Sequence, residues 1–568
     1  MRDVLSFLSR PGQVLLSTVS GVASTTPGMI SYFDQKVKAV SIVTTKSFQV
    51  NPNSGNPEPI ICETSLGNFG NSVGLRNSGM AQALDELKEL RRKSLRIILN
   101  VSLSANCPED FVILVKAFAP YADMLELNFS CPHAAAGYGA SIGCDGDIAS
   151  EYVTQIRAAV PDLAVPLFIK LTPNVKDIGS IAKAVLACGA DGLVAINTVG
   201  PIVHIDPASG RPILQNQLGG KGGCSGSWVF EKALASISAI RKAVGPSVPV
   251  LGMGGVFTGS EAARLIECGA NVVGIGSALA MVSQKQWPQY LQSIKNEAQQ
   301  ILAGEHPELV SKTYLRTERR MAYVRHLVTE VQYYGEDTMI MQCDGKLESK
   351  AGQFVFLWLP SHGEKPFSVA TTEPLSFVIK RRGPFTDELF KLKKGDELYI
   401  RGLYGAPLEN KRSAHALLLA GGTGVAVLPM LCKQLEEQGT VMTILVGTSV
   451  SVSKPALLEK ELRGYGSFSC VPDNGKPGRI LDKLDALQLD EDTAVYLIGP
   501  EPFMAGACRK LLALGAKKDK LYLSMERMTR CGVGLCGECG CAGRLTCQWG
   551  TFMEYEYLET EAPKLLGL

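Results

Sequence analysis

Four cysteines near the end of the chain have a spacing that suits an iron–sulfur cluster. They are Cys531, Cys536, Cys539 and Cys547, in the stretch RCGVGLCGECGCAGRLTC. The C-x4-C-x2-C spacing with one later cysteine is that of a plant-type [2Fe–2S] loop, and the intervening glycines let the backbone curl around a cluster. A structural zinc site is the alternative, because cysteine pairs also bind zinc. Cys541 is a spare thiol that leaves the identity of the fourth ligand open.

A one-electron carrier needs partners that deliver and remove electrons, and the first half of the chain offers a place for one. Eight short, β-branched apolar runs alternate there with helical stretches, at 14–18, 39–45, 96–102, 124–130, 166–172, 192–198, 249–254 and 272–277. This alternation predicts an α/β fold of the (β/α)8 TIM barrel type. Polar residues follow the runs, at the barrel end that carries chemistry: Lys46, Asn100, Asn128, Cys131, Lys170 and Asn197. Gly254-Gly255 and Gly276-Ser277 follow the last two runs, where such barrels usually bind phosphate.

The rest of the chain changes its rhythm twice. Residues 1–305 carry the barrel pattern, and the charged stretch 306–321 is predicted to be a linker. Residues 322–412 contain strands separated by turns, which predicts a small antiparallel β-barrel. Residues 413–523 return to strand–helix alternation, typical of a doubly wound, Rossmann-like nucleotide-binding domain. Residues 524–568 hold the cysteine loop.

Composition narrows the class of partner. The 568 residues are 46% hydrophobic and 20% charged, and the formal net charge is +2. This balance describes a globular protein and gives no reason to expect nucleic acid or an anionic membrane as a partner, and the motifs described below imply a small-molecule substrate. Sixteen cysteines without small-domain spacing favour a reducing compartment, and Arg10 and Pro11 interrupt the start of the chain before a signal-peptide core can develop. We therefore expect a cytoplasmic protein.

Specific motifs resemble one enzyme family. The first 300 residues resemble the catalytic subunit of the type 1B dihydroorotate dehydrogenases, and the remainder resembles their electron-transfer subunit, of the ferredoxin-reductase-like superfamily. The barrel stretches that carry the resemblance are TTKS (44–47), GNPEPI (55–60), NSVGLRNSG (71–79), ELNFSCP (126–132), IKLTPNVKDI (169–178), INTVG (196–200), IDPASGRP (205–212) and GMGGVFTG (252–259). The resemblance implies oxidation of dihydroorotate in pyrimidine biosynthesis, with electrons passing from FMN through [2Fe–2S] and FAD to NAD+. It also implies a homodimer formed through the barrel.

The resemblance assigns roles within the barrel. Cys131 would be the general base, and Lys46 and Lys170 would stabilise negative charge on the reduced flavin. The substrate would be bound by Asn71, Val73, Gly74, Leu75, Asn128, His133, Asn197 and Thr198. The FMN would be bound by Ser20, Gly21, Lys46, Asn100, Asn128, Lys170, Gly226, Gly254, Gly255, Gly276 and Ser277.

The chain departs from the family pattern beside the predicted base. Where the family has S-C-P-N, this sequence has Ser130-Cys131-Pro132-His133. An imidazole cannot copy the planar donor–acceptor pair of a carboxamide, so a different cyclic amide or unsaturated heterocycle, in either redox direction, is a second hypothesis. Alternatively, His133 turns away and water fills the gap. A third hypothesis is a non-catalytic electron relay, against which the presence of Cys131, Lys46 and Lys170 argues.

The second half carries the corresponding nucleotide motifs. Lys365, Pro366, Phe367 and Ser368 match the family's R-P-x-S flavin motif with lysine in place of arginine, and Gly383, Phe385 and Thr386 resemble its FAD-phosphate loop. The turn Gly421-Gly422-Thr423-Gly424 joins a strand to a helix in LLLAGGTGVAVLPM (417–430), an arrangement that can receive a dinucleotide pyrophosphate. The stretch GTSVSVSKPALLEKE after the next strand has no clear acidic ribose ligand or arginine pair, so NAD and NADP both remain open.

Overall fold

The structure is a computed structural model that describes residues 3–10, 12–130, 140–448, 456–472, 479–487 and 489–568. The chain divides into two compact units: Met1–Arg319 with Val533–Gly543, and Arg320–Gly532 with Arg544–Leu568. The two units do not follow the domain boundaries predicted from the sequence, which placed a separate domain at 524–568 and a linker at 306–321. Part of that stretch is tied to the first unit, because Ser311 donates to the buried Glu297 and Arg316 contacts the buried Glu63 at 2.7 Å.

The first unit contains a closed parallel barrel, which confirms the predicted fold class. Its strands in the described residues are β1 (Leu16–Thr18), β2 (Val40–Thr44), β3 (Ile98–Leu103), β4 (Met124–Asn128), β5 (Leu167–Lys170), β6 (Gly192–Ala195), β7 (Val250–Met253) and β8 (Val272–Ile275). Each strand pairs with the next, and β8 pairs with β1. The closed order of eight is that of a TIM barrel.

Burial on both faces explains why these strands appear in the sequence as apolar runs. Every residue of β3, β4 and β5 is buried, as expected for parallel strands covered by helices. The covering helices are Pro27–Lys36, Met80–Arg91, Pro108–Phe118, Gly146–Ala159, Ile178–Ala187, Phe230–Val244, Gly259–Glu267 and Trp287–Leu302. The N-terminal helix Val4–Leu8 adds Val4 and Leu8 to the core cluster inside the barrel.

Two insertions build a small antiparallel sheet beyond the barrel strands. Ile61–Ser65 and Asn68–Asn71 follow β2, and Val199–Val203 and Lys221–Gly226 follow β6. Among the described residues they form a four-stranded sheet in which Asn68–Asn71 pairs with Lys221–Gly226. Because both insertions follow the carboxyl ends of barrel strands, the sheet lies at the end of the barrel where the predicted site residues are.

The second unit begins with an antiparallel sheet. Its described strands are β9 (Val324–Tyr333), β10 (Thr338–Cys343), β11 (Phe354–Leu359), β12 (Gly363–Ser368), β13 (Thr371–Thr372), β14 (Leu375–Lys380) and β15 (Glu397–Tyr404). Their order is β12-β11-β15-β9-β10-β14-β13, and in the described residues the hydrogen bonds do not close this sheet into the predicted barrel. Bulges in the β9–β10 and β11–β15 pairs let the sheet bend around its own apolar core.

A mostly parallel sheet follows in the same unit. Its described strands are β16 (His415–Gly421), β17 (Val441–Thr448), β18 (Ser467–Pro472), β19 (Thr493–Ile498), β20 (Leu521–Ser524) and the antiparallel β21 (Phe552–Glu554). Their order is β18-β17-β16-β19-β20-β21, which is typical of a doubly wound sheet; the sequence rhythm predicted such a sheet but not its strand order. The helices Leu428–Glu437 and Glu501–Ala513 follow β16 and β19.

The remaining described elements are short. The helices are Ala140–Gly143, Val310–Thr313, Pro384–Leu389, Glu459–Arg463, Thr546–Trp549 and Tyr555–Glu561, and the strands are Gly540–Cys541 and Arg544–Leu545. The 3-10 turns are Ala119–Tyr121, Ser227–Val229, Ser277–Met281, Gln284–Gln286, Gly422–Val427, Arg479–Ala486, Lys518–Lys520 and Pro563–Leu566. None of the helices in the described residues combines the length and the apolar composition that crossing a bilayer requires.

Candidate active site

A cavity of about 200 Å³ in the first unit gathers most of the residues singled out in the barrel sequence. The predicted residues that line it are Ser20, Gly21, Lys46, Asn71, Val73, Gly74, Leu75, Asn128, Lys170, Asn197, Thr198, Gly226, Gly254, Gly255, Gly276 and Ser277. Asn100 is buried beneath it and is not part of its wall. Cys131 and His133 lie outside the described residues.

Hydrogen bonds between short polar side chains fix the asparagines in the cavity wall. The Asn128 amide donates to Ser47 Oγ at 3.0 Å, and Asn128 Oδ1 accepts from the hydroxyl of Ser130 at 2.8 Å. The Asn197 amide donates to the Ser130 carbonyl at 2.9 Å, and Asn197 Oδ1 accepts from the Thr198 N–H. The two carboxamides are therefore held by one continuous network. Ser47, which is buried and also bonds Ser20 and Ser102, was not among the predicted residues.

Lys170 reaches the cavity from the end of β5 with a buried carboxylate behind it. Its Nζ lies 3.8 Å from Glu126 Oε1, and both side chains are at least 95% buried. Glu126 also accepts hydrogen bonds from Ser102 Oγ at 3.1 Å and from Asn100 Nδ2 at 3.3 Å. Pairing and hydrogen bonding are what allow two charges to remain ionised inside a protein. Glu126 lies within the family-like stretch ELNFSCP, yet its role was not predicted.

Lys46 follows β2 and lies along a glycine. A Cβ added at Gly21, which has φ of +77°, would be 3.4 Å from Lys46 Nζ and from its Cδ. The glycine therefore lets the lysine chain lie close to the loop after β1. Together with Lys170, this places two cationic side chains in the cavity wall.

Glycines form a closely packed turn after each of the last two barrel strands. Gly254 and Gly255 have φ of +126° and +76°, and a Cβ at Gly255 would be 2.7 Å from Phe230 Cβ. A Cβ at Gly276 would be 2.9 Å from Val19 Cγ2. Glycine has no side chain that could cover its backbone, so its N–H group stays accessible to an anion such as a phosphate.

These features fit FMN. The positively charged wall suits a flavin that becomes anionic on reduction, and the glycine turns suit its phosphate. Asn100, predicted to bind FMN, does not line the cavity, and its buried Oδ1 has no hydrogen-bond partner among the described residues.

The segment Val73–Leu75, predicted to bind the substrate carboxylate, has an unusual backbone. Gly74 and Leu75 both have positive φ, +74° and +56°. The Asn53 amide donates to the Gly74 carbonyl at 3.2 Å, and the Asn56 N–H donates to the Val73 carbonyl at 3.1 Å. These hydrogen bonds hold the Val73 and Gly74 carbonyls in a segment that lines the cavity.

A late segment of the chain also belongs to this unit and lines the same cavity. Leu535, in the cysteine loop, is part of the cavity wall. Its carbonyl accepts from the Ala23 N–H at 2.9 Å, and the Cys536 carbonyl accepts from Thr25 Oγ1 at 2.6 Å. Neither contact was predicted, because the pairs are more than 500 residues apart in sequence.

The cysteines predicted to bind the cluster are all buried. Cys531 and Cys539 are 0% exposed, Cys547 is 1% exposed and Cys536 is 6% exposed, and the additional Cys541 is 2% exposed. Gly532, Gly534 and Gly537 have left-handed backbone, as a loop that turns its amides toward cluster sulfurs requires. A [2Fe–2S] cluster at these thiols remains a prediction. Within the described residues, no group of three His, Cys, Asp or Glu side chains is arranged around a single metal ion.

A buried arginine supports Cys531 inside the second unit. Arg401 on β15 forms a two-point ion pair with Glu364, with nitrogen–oxygen distances of 2.6 and 2.8 Å. It also donates to the Cys531 carbonyl at 2.9 Å and to the Tyr404 hydroxyl at 2.7 Å. Burial raises the pKa of Tyr404 to about 12, so this phenol stays neutral. The backbone before the cysteine loop is thus fixed to the antiparallel sheet.

The predicted nucleotide residues of the second unit lie on the expected elements. Lys365 to Ser368 end β12, and Gly383 precedes the helix Pro384–Leu389, where Thr386 Oγ1 accepts from the Gly383 N–H at 3.1 Å. Phe385 is buried in that helix. Gly421 ends β16, and Gly422, Thr423 and Gly424 begin the 3-10 turn before Leu428–Glu437. A Cβ at Gly424 would be 2.8 Å from Ile498 Cγ2, so glycine allows the turn to approach β19.

Known proteins are similar to the first half of the chain. Residues 14–302 match the family described as Dihydroorotate dehydrogenase. The chain is 42% identical over 246 residues to the dihydroorotate dehydrogenase B (NAD(+)) catalytic subunit of Methanocaldococcus jannaschii, covering 42% of this chain and 74% of that protein. It is 38% identical over 237 residues to the same subunit of Methanothermobacter thermautotrophicus, covering 42% and 74%. A solved dihydroorotate dehydrogenase of Eimeria tenella, in complex with ferulenol, is 19% identical with a TM-score of 0.44, covering 54% and 87%.

Proposed function

We propose that this chain, which belongs to the dihydroorotate dehydrogenase family, oxidises dihydroorotate to orotate in pyrimidine biosynthesis and passes the electrons to NAD+. The observation that carries the proposal is the single cavity that brings together Lys46, Lys170, Asn128 and Asn197 with the two glycine turns. Positive charge, carboxamides and a phosphate site in one place suit a flavin enzyme that acts on an anionic amide ring.

The barrel residues would hold FMN, which supplies a two-electron acceptor for hydride. Gly254, Gly255, Gly276 and Ser277 would bind its phosphate, and Lys46 and Lys170 would contact its ring. The buried Glu126 lies 3.8 Å from Lys170 Nζ, so the lysine would already be in place when negative charge develops on the ring.

The substrate would lie between the carboxylate site and the two asparagines. The N–H groups of Val73–Leu75 and the Asn71 amide would bind its carboxylate, while Asn128, Asn197 and Thr198 would address the ring amides. Because the Ser47–Asn128–Ser130–Asn197 network fixes both carboxamides, the ring would be oriented before reaction. Cys131 would take the proton at its Sγ from the carbon next to the one that loses hydride, and it must be helped into the thiolate form to do so.

The part of the chain that follows the barrel would give the electrons their exit. Lys365 to Ser368 and Gly383 to Thr386 would bind FAD, and Gly421 to Gly424 would bind the nicotinamide nucleotide. Cys531, Cys536, Cys539 and Cys547 would hold the [2Fe–2S] cluster, which supplies single-electron exchange between two flavins that cannot exchange hydride directly. The proposal draws support from the doubly wound strand order, the burial of the four thiols and the glycine turn after β16.

A second candidate uses the same machinery on another dihydropyrimidine or unsaturated heterocycle, either as a dehydrogenase or as an NAD(P)H-dependent reductase. The observation that favours it is His133, which stands where the family has asparagine. An imidazole carries its donor and acceptor on opposite sides of the ring and would select a different edge of the substrate.

Anaerobically purified protein separates these functions. We expect FMN, FAD and two irons per chain, together with dihydroorotate-dependent reduction of NAD+. Cys131→Ala should abolish reduction by dihydroorotate while NADH still reduces the protein. A fully loaded protein that ignores dihydroorotate would favour the second candidate, and His133→Asn should then restore turnover. A preparation without iron or flavin would contradict the proposal itself.

A further inference from the structure

The loop that carries Cys536 and Cys539 is closely packed within the first unit. Besides the two backbone contacts of Leu535 and Cys536, the Gln284 amide donates to the Gly543 carbonyl at 2.8 Å. A Cβ at Gly537 would be 3.0 Å from Thr25 Oγ1, and a Cβ at Gly540 would be 3.0 Å from Thr26 Oγ1. Glycines at these positions allow this close approach, so the segment Val533–Gly543 packs in a defined position beside the cavity.

One ion pair joins this loop to the segment predicted to bind the substrate. Arg76 Nε lies 3.1 Å from Glu538 Oε2, and the two side chains are 26% and 10% exposed. Glu538 lies between Cys536 and Cys539, and Arg76 directly follows Leu75. Arg76 Nη1 also donates to the Ser54 carbonyl at 2.9 Å, which fixes its guanidinium from the other side.

The position of the pair determines what it can transmit. Gly74 and Leu75, in left-handed conformations, line the cavity immediately before Arg76, and Leu535 lines it three residues before Glu538. An anion bound by the Val73–Leu75 backbone would order the chain that carries Arg76. The same ordering would reach the cysteine loop through a largely buried charge pair, where screening by solvent is weak.

We propose that Arg76 and Glu538 are a positioning pair that couples the substrate-binding segment 71–76 to the cysteine loop 533–543. Loosening either end loosens the other, and an anionic heterocycle bound at Val73–Leu75 tightens both. The ligand-dependent part of this proposal rests on the proposed function, whereas the coupling of the two segments in the free protein does not.

Amide hydrogen exchange on the anaerobically purified holoprotein tests the coupling. In Glu538→Gln and in Arg76→Gln, we expect exchange in both 533–543 and 71–76 to rise about tenfold. Either substitution removes the ion pair that joins the two segments, so both should open more often. Arg76→Lys keeps the charge and should restore most of the protection. The matched control is Glu559→Gln, which breaks the exposed Lys518–Glu559 pair and should change neither segment. Exchange that rises only in the mutated segment, or in neither, would overturn the proposal.

Orotate tests the ligand-dependent part. In wild-type protein we expect orotate to shift the flavin absorbance and to lower exchange in both segments, whereas in Glu538→Gln it should protect only 71–76. An absorbance shift without protection of 533–543 in the wild type would overturn the coupling. Absence of any absorbance shift would count against dihydroorotate as the substrate, and the comparison of ligand-free variants would still decide the role of the pair.

Discussion

Glu126 shows how a single buried residue can govern a site without lining it. Its carboxylate receives hydrogen bonds from Asn100 and Ser102 and lies 3.8 Å from the Lys170 ammonium. Nothing in the sequence distinguishes it from a polar residue in a strand, because its partners come from two neighbouring strands. The lysine was predictable from its position after an apolar run, whereas its counter-charge was not.

Replacing Glu126 by glutamine should therefore destabilise the first unit. The substitution keeps the size of the side chain but leaves Lys170 buried without a compensating charge, which typically costs about 3 kcal/mol or more. The measurement is the urea midpoint followed by flavin release. Glu231→Gln is the control, since it breaks an exposed pair with Arg264 and should cost less than about 1 kcal/mol. Equal shifts for the two variants would refute this expectation.

His204 should make stability depend on acidity. Its ring packs over Gly70, where a Cβ would be 2.3 Å from it, and its Nε2 lies 3.6 Å from Cys224 Sγ. Burial lowers the pKa of His204 below its ordinary value of 6.5. The unfolded chain then binds the proton more readily than the folded one, so this contribution is present above pH 6.5 and is lost as the pH falls below it.

The check is the urea midpoint of wild type and His204→Gln at pH 7.5 and pH 5.5. We expect the wild type to lose more stability than the variant between these two values, because glutamine does not titrate. The remaining change of the variant's urea midpoint with pH should come from its other titrating groups. Parallel pH profiles would show that the imidazole does not contribute.

At the scale of elements, a comparison of two glycines can distinguish a role of the turn after β7 in phosphate binding from the cost of backbone strain alone. Gly255 and Gly245 have nearly the same φ, +76° and +77°, but a Cβ at Gly245 meets nothing within 4 Å. Replacing Gly245, whose φ of 77° and ψ of -179° are almost exclusive to glycine, by alanine should cost about 1–3 kcal/mol of backbone strain. Gly255→Ala should in addition push against Phe230 and lower the FMN content of the purified protein. The flavin-to-protein absorbance ratio of the two variants measures the difference, and equal ratios would contradict a role for the turn in phosphate binding.

The elements that could be predicted are those whose signal is local. The eight barrel strands are apolar because both faces are buried, and their carboxyl ends are identified by the polar residues that follow. The small sheet made by 61–65, 68–71, 199–203 and 221–226 was missed, since stretches such as NFGN and KGGCSG show no alternation and pair only with distant partners. The packing of the cysteine loop against the first unit was not predicted either, because its contacts are also distant in sequence. Its glycines indicated a tight turn, but their neighbours Ala23, Thr25 and Thr26 could not be inferred.

At the scale of the whole molecule, we expect two chains to associate through the barrel. The segment from Val199 to Trp228 exposes several large apolar side chains, namely Ile202, Ile205, Leu218 and Trp228. Such residues are enriched where proteins meet. Light scattering should give twice the chain mass of 60.9 kDa for the wild type and a lower mass for the double variant Ile202→Asp/Ile205→Asp. A wild-type monomer at micromolar concentration would exclude this association.

The first unit is not contiguous in the chain, and this affects how the protein is made. Its bulk ends at Arg319, whereas its last piece, Val533–Gly543, is translated more than 200 residues later. At ~5–20 residues per second, the ribosome needs roughly 10–40 s to synthesise the intervening stretch. During this interval the nascent barrel would lack Leu535 in its cavity wall, which is complete only after the segment Val533–Gly543 has been made.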